Sequence, residues 1–101
     1  MERQYELVIS EEATVEIEEI RDFYNRRKKG LGFDCLEDIL NCLERIQENP
    51  KSFQYYREAK DGIRRGLTKR FSIIILYDID DKRLTIEVLT IADSQQNWFK
   101  E

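Results

Sequence analysis

The residue types that could do chemistry gather between Arg57 and Arg70. Arg57, Lys60, Arg64, Arg65, Lys69 and Arg70 stand there against only Glu58 and Asp61, on a chain whose net charge is −4. Such a positive patch on a negative body can meet a phosphate backbone or an acidic protein partner. A solvated hairpin whose cations pair with nearby carboxylates gives the same pattern. The chain has no histidine. That removes Ser-His-Asp and Cys-His nucleophile arrangements, His-ligated metals and an imidazole base. Chemistry would have to rest on Arg, Lys, Tyr or carboxylates.

Cys35 and Cys42 lie seven apart in a stretch that reads as helix. At 1.5 Å rise per residue they are about 10 Å apart, too far for a bridge within that helix. They read as small apolar core residues in a reducing compartment. No metal, nucleotide or redox cofactor site is expected. "GLG" at 30–32 lacks the third glycine of a dinucleotide loop and follows a helix, so it reads as the turn of a helical hairpin. Ile73 to Tyr77 is far too short to span a membrane. With no signal peptide, transmembrane run or lipidation motif apparent, a cytoplasmic location is expected.

The elements that must position the cluster follow from periodicity. Tyr5 to Ile9 alternates as a strand. Ser10 is a plausible N-cap, and Ala13, Ile17, Ile20 and Tyr24 mark a helical face that ends in "NRRKKG". A second helix over Phe33 to Glu48 carries a broad stripe of Phe33, Leu36, Ile39, Leu40, Leu43 and Ile46, and "ENP" stops it. After Pro50 the period becomes two. "SFQYYR" is a strand candidate, "DG" at 61–62 a turn, and Ile63 to Thr68, Phe71 to Ile79 and "RLTIEVLTIA" read as strands. The tail after Ala92 is polar except for Trp98 and Phe99.

This order predicts one α+β domain over residues 1–101: an N-terminal strand, a helical hairpin, then a four-stranded antiparallel meander. All strands join one twisted sheet with both helices on one face. Ile73 to Tyr77 then places apolar side chains on the other face too, where the tail or a partner chain should cover them.

With the segments laid out, the chain resembles the ParE/RelE superfamily of type II toxin–antitoxin toxins, closest to its ParE-like (plasmid stabilisation) branch. Four segments carry the likeness: the helix from Ala13, "LGFDCLEDILNCLERIQENP", "GIRRGLTKRFSIIILY" and "LTIEVLTIA". The resemblance implies a toxin held inactive by a cognate antitoxin. It further implies DNA gyrase as target in the ParE-like branch, or ribosome-bound mRNA in the RNA-cleaving RelE-like branch. A non-toxic descendant that keeps only partner binding is a third reading, and the choice between homodimer and toxin–antitoxin hetero-oligomer stays open. The expected antitoxin- or target-binding residues are Arg57, Lys60, Arg64, Arg65, Lys69, Arg70 and Trp98. For RNA cleavage the set would be Arg64, Arg65, Arg70 and Tyr77, although Tyr77 reads first as a core aromatic. Strand alternation sends Arg64 and Arg65 to opposite faces. At its end the chain departs from the family, whose ParE-like members close the last strand with a His-x-x-Arg-type motif. Ala92 and Gln95, or Asp93 and Gln96 one residue later, stand in those places. The departure removes a cation and a proton donor and favours the protein-binding reading over the ribonuclease one. In this reading the cations after Asp61 converge with the last strand on one accessible side of the sheet.

Overall fold

Ser10 ends the first strand and starts the helical hairpin. Its hydroxyl accepts the Ala13 N–H at 3.0 Å, and Glu11 and Glu12 follow in the first turn, where the helix dipole favours negative charge. In the computed structural model, which describes residues 4–56 and 62–94, the elements are β1 (Glu6–Ile9), α1 (Glu11–Arg27), α2 (Leu31–Glu48), β2 (Gln54–Tyr55), β3 (Arg64–Leu67), β4 (Ile73–Asp80) and β5 (Thr85–Asp93). Arg57, Lys60, Asp61 and the tail from Gln95 to Trp98 lie outside the described residues.

Gly30, at φ +86°, makes the turn of the helical hairpin. Gly32 does a different job. It sits inside α2 with its N–H donated to Asn25 Oδ1 at 2.7 Å, and a Cβ there would stand 2.0 Å from the Arg21 carbonyl oxygen. The two helices therefore touch backbone to side chain at this point. α2 starts at Leu31, two residues before the sequence pattern suggests.

The sheet among the described residues runs β1-β5-β4-β3-β2, antiparallel except for the parallel β1–β5 pair. The core lies between one sheet face and the hairpin. Ala13 and Ile20 of α1 and Cys35, Ile39, Cys42, Leu43 and Ile46 of α2 meet Ile73, Ile75, Tyr77, Ile86, Val88 and Ile91 of the central strands. Two expectations change here. Phe33 and Leu40 belong to the apolar stripe in sequence, yet they are 62% and 54% exposed. The buried face of α2 centres on Cys35, Ile39, Cys42 and Ile46, and these two residues, seven apart, point to the opposite side of the helix. "SFQYYR" yields only a two-residue strand, because a 3-10 turn at Pro50–Ser52 takes up its start.

β5 carries a bulge. Leu76 pairs with Thr90 but Tyr77 pairs with Val88, which leaves Leu89 as the extra residue. The bulge reverses the phase of the strand, so Ile86, Val88 and Ile91 all reach the core. β1 pairs with β5 only as far as Val88. Beyond it Glu16 of α1 takes over: its carboxylate accepts the Ile91 N–H at 2.8 Å and the Thr90 hydroxyl. A carboxylate thus caps a sheet edge that would otherwise expose a free donor.

The close approach at the helical hairpin predicts an unequal response to added methyl groups. Gly32→Ala meets a backbone oxygen and should cost about 3 kcal/mol, at the upper end of overpacking penalties. Gly66→Ala meets the mobile end of Ile46, at 2.8 Å from Cδ1, and should cost less. Thermal unfolding of the two variants checks the order, and equal midpoints would contradict it.

Candidate functional site

β3 divides the basic cluster between the two faces of the sheet. Gly66 faces α2, where a Cβ would stand 2.8 Å from Ile46 Cδ1 and 3.3 Å from Cys42 Sγ. Alternation then fixes its neighbours. Arg64, opposite Tyr77, shares the helix-side face; Arg65 and Leu67, opposite Leu76 and Ile74, point the other way.

Arg64 is held by the backbone beside it. Its guanidinium donates to the Phe53 carbonyl at 2.6 Å, to the Lys51 carbonyl at 3.2 Å and to the Tyr55 hydroxyl at 3.0 Å. It also lies 4.1 Å from the centroid of the Tyr55 ring. These contacts tie the loop after α2 to β3. The side chain borders an open depression of about 310 Å³ lined also by Lys51, Tyr55, Gly62, Asp78 and Asp81. Acids and bases alternate there, and Lys51 and Asp81 pair at 3.0 Å.

Arg65 lies on the far face, half-buried beside Gln54 and Leu76, with no hydrogen bond or ion pair to a described residue. Around it on that face are Leu67, 43% exposed, and half-buried Ile74 and Leu76. The expected apolar second face is therefore real, while the tail proposed to cover it lies outside the described residues.

Lys69 and Arg70 occupy the β3–β4 turn, about 15 Å along the chain from Arg64. Asp38 of α2, only 4% exposed, fixes this turn. One carboxylate oxygen accepts the N–H groups of both Arg70 and Phe71, at 2.9 and 2.8 Å. Thr68 completes it by donating its N–H to the Ile73 carbonyl and accepting the Ile73 N–H on its hydroxyl. Ser72 takes φ +60° within it. The side chains of Lys69 and Arg70 are exposed. The described cations thus do not converge on one side: Arg64 faces the helices, Arg65 the opposite surface, and Lys69 and Arg70 the turn between them.

Tyr77 is fully buried, and its hydroxyl donates to the Pro50 carbonyl at 2.6 Å. Burial pushes its phenol well above the ordinary tyrosine range, and Arg64 offsets this only in part. It is a core aromatic, edge-on to Phe53. Burial likewise pushes the Cys35 thiol up to about 12 and raises that of Cys42. The places where ParE-like chains carry histidine are also spent on packing. Ala92 is buried on β5, and Asp93 is buried with its carboxylate accepting the Tyr24 hydroxyl. Sequence reasoning missed Asp38, Glu16 and Asp93 as structural acids. Their signal was a carboxylate next to an apolar stripe or strand, a pattern shared with many solvated positions.

Among the described residues, no group of three or more His, Cys, Asp or Glu could hold a metal ion, and no helix is long and apolar enough to cross a membrane.

Two outcomes test these assignments. Asp38→Ala strands two turn N–H groups and should lower stability by about 2–3 kcal/mol in denaturant unfolding. Tyr77→Phe leaves the buried Pro50 carbonyl without its donor and should cost about 1–3 kcal/mol at neutral pH. The native state holds the Tyr77 proton more tightly than the unfolded chain. The stability this contributes is full below the unfolded tyrosine value of about 10 and is lost as pH rises beyond it. The gap between wild type and Tyr77→Phe should therefore narrow above that pH, and a gap that widens would contradict the assignment.

Comparison with known proteins places this geometry. A model of the ParE toxin of the type II toxin–antitoxin system parDE matches residues 7–98. A search of curated protein sequences finds no match. Among solved structures, the chromosomal ParDE TA system from P. aeruginosa is similar, with a TM-score of 0.76 at 15% identity, covering 89% of this chain and 96% of that one. The intact E. coli RelBE toxin-antitoxin complex is similar with a TM-score of 0.65 at 17% identity, covering 91% and 99%. The RelBE2 toxin-antitoxin complex from Mycobacterium tuberculosis gives 0.62 at 14% identity, covering 95% and 98%. At these identities the structures speak for the fold, and the family match speaks for the lineage. From its first strand almost to its last residues, the chain belongs to the ParE toxin family of type II toxin–antitoxin systems.

Proposed function

We propose that the protein works by binding proteins and not by cutting RNA: a ParE-like toxin, neutralised by a cognate antitoxin, with DNA gyrase as its target. The observation that carries this reading is the fate of Tyr77 and Arg64. RNA cleavage would need a proton-transferring side chain beside the cations. The tyrosine is sealed in the core with its hydroxyl given to Pro50, and Arg64 is given to the carbonyls of Lys51 and Phe53. What remains accessible suits a macromolecular partner. Leu67, Ile74 and Leu76 form an apolar strip on the far sheet face, with Arg65 within it and Lys69 and Arg70 at its end. An antitoxin segment laid there would gain roughly 25 cal/mol per Å² of apolar surface covered, with the cations orienting its approach. Of the other expected binding residues, Arg57, Lys60 and Trp98 stay within the proposal as neighbours of this face in sequence only. The similar ParDE and RelBE structures come from toxin–antitoxin systems, which supports an antitoxin as partner.

Three assays separate the readings. Expressed without a partner, the chain should arrest bacterial growth. Purified, it should block supercoiling by gyrase while leaving ribosome-bound message intact. Cleavage of that message with unimpaired supercoiling would replace this reading with the ribonuclease one, and unchanged growth would point to a descendant that has lost its activity. Leu67→Asp should leave the fold intact and weaken antitoxin binding about tenfold or more. Unchanged affinity would remove the far sheet face as the docking surface.

A further inference from the structure

Two basic segments far apart in sequence meet at one end of the molecule. α1 finishes in Arg26 and Arg27, followed by Lys28 and Lys29 before Gly30. The β3–β4 turn carries Lys69 and Arg70. An unbroken run of ring contacts joins them. Arg27 lies 5.2 Å from the Phe23 ring centroid. Phe23 stands edge-to-face with Tyr24 at 5.1 Å, and Tyr24 with Phe71 at 5.2 Å. Arg70 lies 5.6 Å from the Phe71 centroid. All six cations are exposed, and none forms an ion pair with a described residue. Three of the acids nearby are committed: Asp22 pairs with Arg21 at 2.9 Å, Asp38 is taken by the turn N–H groups, and Asp93 is buried against Tyr24, while Asp34 and Glu37 of α2 are exposed. The α1 dipole accounts for Arg26 and Arg27 in its last turn, but not for the two lysines beyond it or for the turn of another hairpin.

We infer that this end of the molecule, built from the C-terminus of α1 and the β3–β4 turn, is a docking surface for an acidic protein segment. This surface shares Lys69 and Arg70 with the end of the far-face antitoxin strip, extends beyond it onto the C-terminus of α1, and does not depend on the toxin's target. Charge complementarity names the occupant, and the ring geometry decides between the two classes of polyanion. A single-stranded nucleic acid needs open aromatic faces on which bases stack. Here the rings are half-buried and turn edges to one another, and Arg27 and Arg70 lie beside the two outer rings. The cations keep their donors free for carboxylates, in the paired geometry that arginine favours. A short acidic segment also avoids the repulsion that the chain's net charge of −4 imposes on a long polyanion.

The test compares a fluorescent Glu-rich peptide with a single-stranded RNA of equal length, by anisotropy against the purified full chain at about 0.15 M salt. The peptide should bind more tightly than the RNA. Lys28→Glu combined with Lys29→Glu should weaken it about tenfold or more. Lys82→Glu combined with Arg83→Glu, the same charge change at the β4–β5 turn, should leave it within about twofold. If charge reversal perturbs the helix end, seen as a fall in thermal midpoint, the Gln versions of the two lysines carry the comparison and should show a smaller loss in the same direction. Tighter RNA binding, lost in the same variant, would reassign the surface to nucleic acid. Absence of peptide binding, or equal loss in both charge-reversed variants, would overturn the inference. Neither readout involves growth arrest or gyrase, so failure here is separable from failure of the toxin reading.

Discussion

The contact of α2 with the bare backbone of Gly66 is the constraint on which the rest depends. Cys42 and Ile46 come so close to β3 that even a methyl group at Gly66 would stand 2.8 Å from Ile46 Cδ1, and a longer side chain would need α2 to move away. That closeness fixes which way β3 faces. With Gly66 turned toward the helix, Arg64 shares its side and Arg65 and Leu67 must show the other. The inward arginine then becomes part of the scaffold, clamping the loop after α2, and the outward one stays at a surface. A single packing decision converts a run of cations into separate structural and accessible groups.

The same closeness explains why so much of this was legible and why the rest was not. Alternation in "RRGLTKR" predicts that the two arginines part, but alternation gives relative phase and not the absolute face. The apolar Leu67 argues for the wrong face by hydropathy alone, since it ends up partly exposed while a glycine fills the core position. The order of elements, the Ser10 cap and the apolar run of β4 were all readable, because each rests on local preference. The Leu89 bulge was not, because a one-residue phase reversal looks like ordinary noise in "TIEVLTIA". Phe33 and Leu40 misled for the converse reason. Their spacing continues a helical stripe, and only the position of α1, forced close at Gly32, shows that they fall outside the contact.

Acidic residues carry more of the architecture than their polarity suggests. Glu16 closes the β5 edge where β1 stops, Asp38 pins the basic turn to α2, and Asp93 anchors the end of β5 to Tyr24. Each answers a donor that would otherwise lose water without gaining a partner. This also gives the missing His-x-x-Arg-type motif a physical meaning. With Ala92 and Asp93 both buried, the end of the last strand works as core here and offers no proton donor to solvent. At this end of β5, then, the two positions are turned into the core, while the exposed acids and Tyr55 lie around Arg64 at the other end of β3.

On the proposed function, Gly66 sorts Arg64 into the scaffold and Arg65 onto the face that meets the toxin's partners. Arg64→Gln and Arg65→Gln, each measured for thermal midpoint and for gyrase inhibition by folded protein, test it most directly. The expected pattern is a crossed one: the first variant loses stability by about 1–3 kcal/mol, as three hydrogen bonds and a ring contact go, and inhibits normally per folded molecule. The second keeps its midpoint and inhibits less. A stable, inactive Arg64→Gln beside an unstable, active Arg65→Gln would contradict the assignment of faces and the reading built on it.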